Sequence, residues 1–139
     1  MLGDLTAAST YAAAGNNTTK HTTTYAYDGA QRLTDVVHPN GKTSHIAYSG
    51  RYPLSTTDEA GNQFYYTYCG CGSLTGISQP ATGWSLGWTY NKDGALTAFT
   101  DARSNVTNYT YDQAGLLNKI SYPDAVAGSQ ASSVFRNRR

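Results

Sequence analysis

The stretch Asn108-Tyr109-Thr110-Tyr111-Asp112-Gln113-Ala114-Gly115-Leu116-Leu117 decides the fold, because it returns four more times upstream in altered form. Aligned on its second tyrosine, the anchors are Tyr27, Tyr48, Tyr68, Tyr90 and Tyr111, at intervals of 21, 20, 22 and 21 residues. Six residues after each stands a leucine: Leu33, Leu54, Leu74, Leu96 and Leu117. Agreement at one offset five times over, in a chain with few leucines, establishes a repeat. A period of about 20 residues means stacked supersecondary units.

Each unit between Thr22 and Asp124 is expected to be a β-hairpin. The first strand alternates, placing Tyr25 with Tyr27, Ile46 with Tyr48, and Phe64 with Tyr66 and Tyr68 on one face. In the fourth repeat Trp84, Leu86, Trp88 and Tyr90 share a parity, with Ser85, Gly87 and Thr89 between them. Alternation with aromatics on one side is the mark of a half-buried strand. The turns that follow are rich in Asp, Asn and Gly, as in Asn91-Lys92-Asp93-Gly94, which supply the positive φ that hairpins need. Three places after the leucine comes Val36, Thr57, Ile77, Phe99 or Ile120. An offset of three breaks a period of two, so either the leucine plugs the turn or a bulge lies between the two positions. A second turn closes each unit, as in His38-Pro39-Asn40-Gly41 and Asp58-Glu59-Ala60-Gly61-Asn62. No segment carries a sustained helical period.

Composition agrees with sheet rather than with a sealed interior. Isoleucine, leucine, valine and methionine are scarce; the apolar mass lies in twelve tyrosines, three phenylalanines and two tryptophans, flat amphipathic rings that suit a sheet surface. Ten Lys+Arg against nine Asp+Glu leave a net charge of +1, which provides no global field to recruit nucleic acid or an anionic membrane. No long uncharged apolar run suggests a membrane span. The opening residues have neither the basic start nor the apolar segment of a secretory signal.

Three segments are expected along the chain. Residues 1–21 read as a lead-in or degenerate part-repeat, because Gly3-Asp4-Leu5-Thr6 matches Gly72-Ser73-Leu74-Thr75 and Gly94-Ala95-Leu96-Thr97, with an insertion around Ala12 to Asn17. Residues 22–124 hold the five repeats of about 21 residues. Residues 125–139 lose the pattern and read as a frayed tail.

The repeat resembles the RHS or YD repeat: Tyr-Asp, two variable residues, Gly, one more, then Leu, as in Tyr111 to Leu117, followed by a turn of the Asp-x-x-Gly-Asn kind. The resemblance covers about five repeats, in line with a solenoid or array. Departures are visible: the Asp after tyrosine is kept at Asp28 and Asp112 and is Ser49, Cys69 and Asn91 elsewhere, and the turn glycine is Gln31 in the first repeat and Tyr52 in the second. The resemblance implies an all-β fold of tandem hairpins forming a single curved, twisted antiparallel sheet, a segment of a larger shell. In bacterial polymorphic toxins of the family that shell encloses a C-terminal toxic domain; related shells occur in insecticidal toxin complexes and teneurins. The partners implied are neighbouring repeats of a longer parent chain or a cargo domain, and the location implied is extracellular or cell surface.

Candidate sites are few. Gly83-Trp84-Ser85-Leu86-Gly87 matches G-x-S-x-G, but Ser85 falls within an alternating strand, where the nucleophile elbow needs a strand-to-helix turn. Cys69-Gly70-Cys71 falls in the third repeat's turn and leaves open two free thiols, a small disulfide, or soft-metal binding with a further ligand; His21, His38 and His45 show no ligand spacing toward it. Trp84, Trp88 and Tyr90 could stack on a sugar ring, which makes a carbohydrate or cell-surface binding module the alternative to a structural role. The same stripe recurs in every repeat, as a packing layer would. No phosphate-cradling loop, H-E-x-x-H or Asp-Pro processing site occurs, so no catalytic residue, cofactor or metal is expected. The expectation is a non-catalytic structural segment.

Overall fold

The computed structural model describes residues 7–14, 17–123 and 132–134, with side chains described for Ala7, Ala8 and residues 21–123. All regular structure among them is β. The strands are β1 (Ala7–Ala14), β2 (Asn17–Tyr27), β3 (Leu33–Val37), β4 (Thr43–Ser49), β5 (Tyr52–Thr57), β6 (Gln63–Tyr68), β7 (Leu74–Gln79), β8 (Trp84–Tyr90), β9 (Leu96–Thr100), β10 (Val106–Tyr111), β11 (Leu117–Ser121) and β12 (Ser132–Val134). Hydrogen bonding follows chain order, each strand beside its neighbour in sequence. Tandem antiparallel hairpins are therefore the architecture, and the chain divides into two compact units, Met1–Tyr65 and Tyr66–Arg139.

In the first unit, β1 pairs with β2 from Ala7↔Thr24 to Ala14↔Asn17. Of the insertion expected around Ala12 to Asn17, Ala12, Ala13 and Ala14 lie in β1 and pair with Thr19, Thr18 and Asn17 of β2; the part-repeat signature at Gly3 to Thr6 lies outside the described residues. β2 then pairs with β3, which pairs with β4, β4 with β5, and β5 with β6. In the second unit β7 pairs with β8, β8 with β9, β9 with β10, and β10 with β11. Within the segment expected to fray, Ser132–Val134 form β12 against Lys119–Ser121 of β11.

The offset of three is resolved by a bulge. Thr89 faces Ala98 and Tyr90 faces Leu96, so Thr97 is the extra residue, and Leu96 and Phe99 return to one face. The same shift leaves Thr34 extra opposite Ala26 and Tyr27, and Asn118 extra opposite Thr110 and Tyr111. Where the bulged residue is threonine its hydroxyl donates across the strand, Thr34 to the Ala26 carbonyl at 3.2 Å and Thr97 to the Thr89 carbonyl at 3.1 Å. This accounts for the pairs Leu33-Thr34 and Leu96-Thr97.

The second repeat departs from the leucine rule. Its turn is short, with Ser49 paired to Tyr52 around Gly50 and Arg51, so Pro53 faces Tyr48 and Leu54 becomes the bulged residue, 46% exposed. Thr56, not Thr57, then stands opposite Ile46. Six residues from tyrosine to leucine is here a coincidence of counting, because a turn one residue shorter moves the register by one.

No hydrophobic side chain is fully buried among the described residues; Ser55, at 7% exposure, is the one buried residue. The aromatic face is half covered. Tyr25, Ile46, Phe64, Trp88, Phe99 and Tyr109 are all of intermediate exposure, shielded by their cross-strand neighbours. Trp88 and Phe99 face each other in register with ring centroids 5.7 Å apart, a tilted aromatic pair of the kind that stabilises sheets.

Candidate functional site

The repeating feature with a defined geometry is the turn that follows the anchor tyrosine. In the fourth repeat the Asn91 amide donates to the Ala95 carbonyl at 2.9 Å and the Gly94 amide donates to the Asn91 carbonyl at 3.0 Å. The Asn91 Oδ1 accepts the Asp93 amide at 3.0 Å and the Ala95 amide at 2.8 Å. One side-chain oxygen thus satisfies two amides that the tight turn would leave without strand partners. The Asp112 turn is the same, with Ala114 and Leu116 as donors, both at 2.9 Å. So is the Asp28 turn, with Ala30 and Arg32. The turns that close the repeats reuse the device at Asp58 and Asp101. The aspartate after tyrosine is a turn lock, and asparagine replaces it because only the oxygen is required.

The fourth position of each such turn has positive φ. Gly61, Gly72, Gly94 and Gly115 occupy it, and so do Gln31 at φ 60° and Ser104 at φ 65°. The first repeat therefore keeps the turn without the glycine. Arg32 supports it there: its guanidinium bonds Asp28 Oδ2 at 2.7 Å through Nε and 2.6 Å through Nη2, lies 4.4 Å from the centre of the Tyr48 ring, and donates to the Gly50 carbonyl. It joins the turns of the first two repeats.

A second tie runs between consecutive hairpins. The anchor tyrosine hydroxyl donates to the main-chain carbonyl of the leucine one repeat earlier: Tyr48 to Leu33 at 2.9 Å in the first unit, and Tyr90 to Leu74 at 3.1 Å and Tyr111 to Leu96 at 2.8 Å in the second. Leu33 and Leu96 each stand beside a bulge, and the phenol of the next hairpin meets their carbonyls as it does that of Leu74. The Tyr…Leu pattern is thus a seam between repeats, a role that spacing alone did not reveal.

Trp84, Trp88 and Tyr90 do share one face of β8, each of intermediate exposure. Tyr90 uses its hydroxyl in the seam and Trp88 packs on Phe99. Ser85 is exposed on the other face opposite Ser78, beside a notch of about 220 Å³ lined also by Thr67, Gly76, Ile77 and Leu86; that lining holds neither histidine nor carboxylate. Among the described residues Ser44 meets a histidine, with His38 Nε2 at 2.9 Å from its Oγ, while His45 Nδ1 lies 2.7 Å from Asp35 Oδ1. Cys69 and Cys71 are joined in a disulfide, the outcome among the three left open by the sequence. Among the described residues no three His, Cys, Asp or Glu side chains gather as metal ligands, and no helix is long and apolar enough to cross a membrane.

Locked turns, bulged hairpins and a tyrosine seam define a tandem β-hairpin repeat protein. Residues 90–127 match the family model described as RHS Repeat. The fold is similar to part of the crystal structure of TcdB2-TccC3-TEV, with a TM-score of 0.61 and 14% identity over 84% of this chain; the chain spans 7% of the length of that one. At that identity the likeness is one of fold. The crystal structure of TcdB2-TccC3-Cdc42 aligns at 13% identity over 89% of this chain and 11% of the other, with a TM-score of 0.29, too low to bear on the argument. No curated protein matches the chain in sequence.

Proposed function

We propose that the chain is a non-catalytic structural segment of an RHS-type β-shell, its partners being further repeats of a longer protein or a cargo domain held against the aromatic face. The observation that carries this reading is the seam from tyrosine hydroxyl to leucine carbonyl: at Tyr48, Tyr90 and Tyr111 one hairpin completes the hydrogen bonding of the one before it, and no described hydrophobic side chain is fully buried. Units that complete one another in sequence and bury little alone are built for arrays. An extracellular or cell-surface setting and enclosure of a C-terminal toxic domain belong to the same proposal, by resemblance to the family.

Hydrodynamic size and far-UV circular dichroism of the purified chain, taken across a range of concentration, test it. Growth into larger species, with β signal that strengthens on association, is the expected result. A compact monomer of fixed size that binds glycans saturably, and loses that binding on Trp84→Ala or Trp88→Ala, would replace the structural reading with the carbohydrate-binding one.

A further inference from the structure

The third repeat departs from the others at the residue that locks the turn. At Asp28, Asp58, Asn91, Asp101 and Asp112 a side-chain oxygen accepts the amides two and four residues on. Two converging N–H groups favour an anion. The Asp58 and Asp101 carboxyls are held below the ordinary value, first by the side-chain amides of Asn62 and Asn105 and next by backbone amides of the turn. Cys69 stands at the head of an equivalent turn. Its amide donates to the Ser73 carbonyl at 3.0 Å and its carbonyl accepts the Gly72 amide at 2.9 Å. Its Sγ accepts the Ser73 amide, four residues on, at 3.3 Å. Two residues on, where the other turns supply a hydrogen bond, a covalent bond to Cys71 stands instead.

That disulfide is a poor staple. It bridges residues two apart in sequence, so it removes little freedom from the unfolded chain. The main-chain bonds of the turn are those of turns that have no disulfide. Access is open: Gly70 and Cys71 are exposed, and a side chain at Gly70 would meet nothing within 4 Å.

We propose that Cys69–Cys71 is a thiol–disulfide exchange site, in which the amides of the turn receive the Cys69 sulfur as the leaving thiolate. The reductant is an external thiol, small or protein-borne. Its thiolate attacks the exposed Cys71 Sγ; a mixed disulfide forms there, the Cys69–Cys71 bond breaks, and the electron pair leaves on Cys69 Sγ toward the Ser73 and Cys71 amides. A second external thiolate attacks the external sulfur of the mixed disulfide and releases the Cys71 thiolate. Two electrons pass to the chain, two external thiols become one disulfide, and their protons go to Cys71 and to solvent. A leaving thiolate stabilised by N–H donors departs faster. Reduction opens the turn's covalent cap and leaves the hairpin's hydrogen bonds in place.

The full chain, equilibrated in glutathione buffers of increasing reduced fraction and then pulsed with iodoacetamide near pH 7, provides the test by peptide mass mapping. Cys69 is expected to alkylate about tenfold faster than Cys71, since a thiolate held by donors persists below the ordinary thiol value, with the far-UV spectrum unchanged on reduction. In Cys71→Ser, Cys69 keeps its fast rate; in Cys69→Ser, Cys71 reacts as an ordinary thiol. Equal rates, a faster Cys71, or loss of β signal on reduction would overturn the assignment.

Discussion

The Tyr90 hydroxyl donates to the Leu74 carbonyl at 3.1 Å, across from one hairpin to the next, and Tyr111 repeats the relation with Leu96. Both bonds are part-buried. Tyr90→Phe removes the donor and keeps the ring, leaving a half-shielded carbonyl with water as its partner. The expected loss is about 1 kcal/mol, read as a lower urea midpoint with an unchanged slope. Tyr109→Phe, on the same face as Tyr111 but outside the seam, is the control. An equal loss there would mean that the seam bond contributes nothing of its own.

Gln31 and Ser104 hold the left-handed position that glycine takes in the sister turns. A side chain in that region carries a steric cost of about 1 kcal/mol. Gln31→Gly and Ser104→Gly are therefore expected to stabilise the chain, each by somewhat less than that cost because glycine also frees the unfolded chain. Thermal midpoints that fall for both variants would contradict the strain argument.

Gly76 and Gly87 face each other across β7 and β8, yet alanine is expected to act differently at the two. A Cβ at Gly76 would lie 2.6 Å from the Thr67 Oγ1, whose partner is the Thr75 hydroxyl at 3.2 Å; at Gly87 the nearest atom is the Thr100 Cβ at 3.5 Å, an ordinary contact. Gly76→Ala should cost about 1 kcal/mol or more by overpacking. Gly87→Ala should be neutral or stabilising, since glycine weakens a strand. Adding Thr67→Ala should recover most of the first loss, which a double-mutant cycle would register.

Acid is expected to loosen the turns. Arg32 holds the Asp28 carboxyl below its ordinary value, and the side-chain amides of Asn62 and Asn105 do the same for Asp58 and Asp101. A depressed folded value means that stability is fully present above the unfolded carboxylate value of about 4 and is lost as pH falls below it, through the folded values. Urea midpoints should therefore be flat from about pH 7 to 5 and fall below about pH 4. Asp58→Asn and Asp101→Asn keep the acceptor oxygen and should make the fall shallower; an unchanged profile would mean that these turns do not carry the pH dependence.

The alternation Trp84, Leu86, Trp88, Tyr90 sufficed to place β8 and its aromatic face, since the parity of side chains along a strand is local geometry. The bulge was legible as an alternative, because Leu96 and Phe99 cannot share a face three apart without an extra residue. The second repeat misled: Leu54 keeps the count from Tyr48, but register is set by turn length, and Pro53 takes the inward place. The insertion before Thr22 and the residues after Asp124 lack the repeat's signals, and pairing with β2 and β11 makes strands of them in part. Pairing is a long-range event, and local propensity is a weak guide to it.

Period, strand parity and turn chemistry were thus fixed by the sequence itself, because each depends on residues a few places apart. Hydrogen-bond partners came only with the tertiary structure. Nothing in the spelling of the repeat says that Tyr90 reaches back to Leu74, that Arg32 lies over Tyr48, or that the Cys69 Sγ accepts the amide four residues on as Asp58 and Asp101 do. Those relations arise when one hairpin is laid beside the next, where the geometry of the bulge and the length of each turn decide which atoms meet.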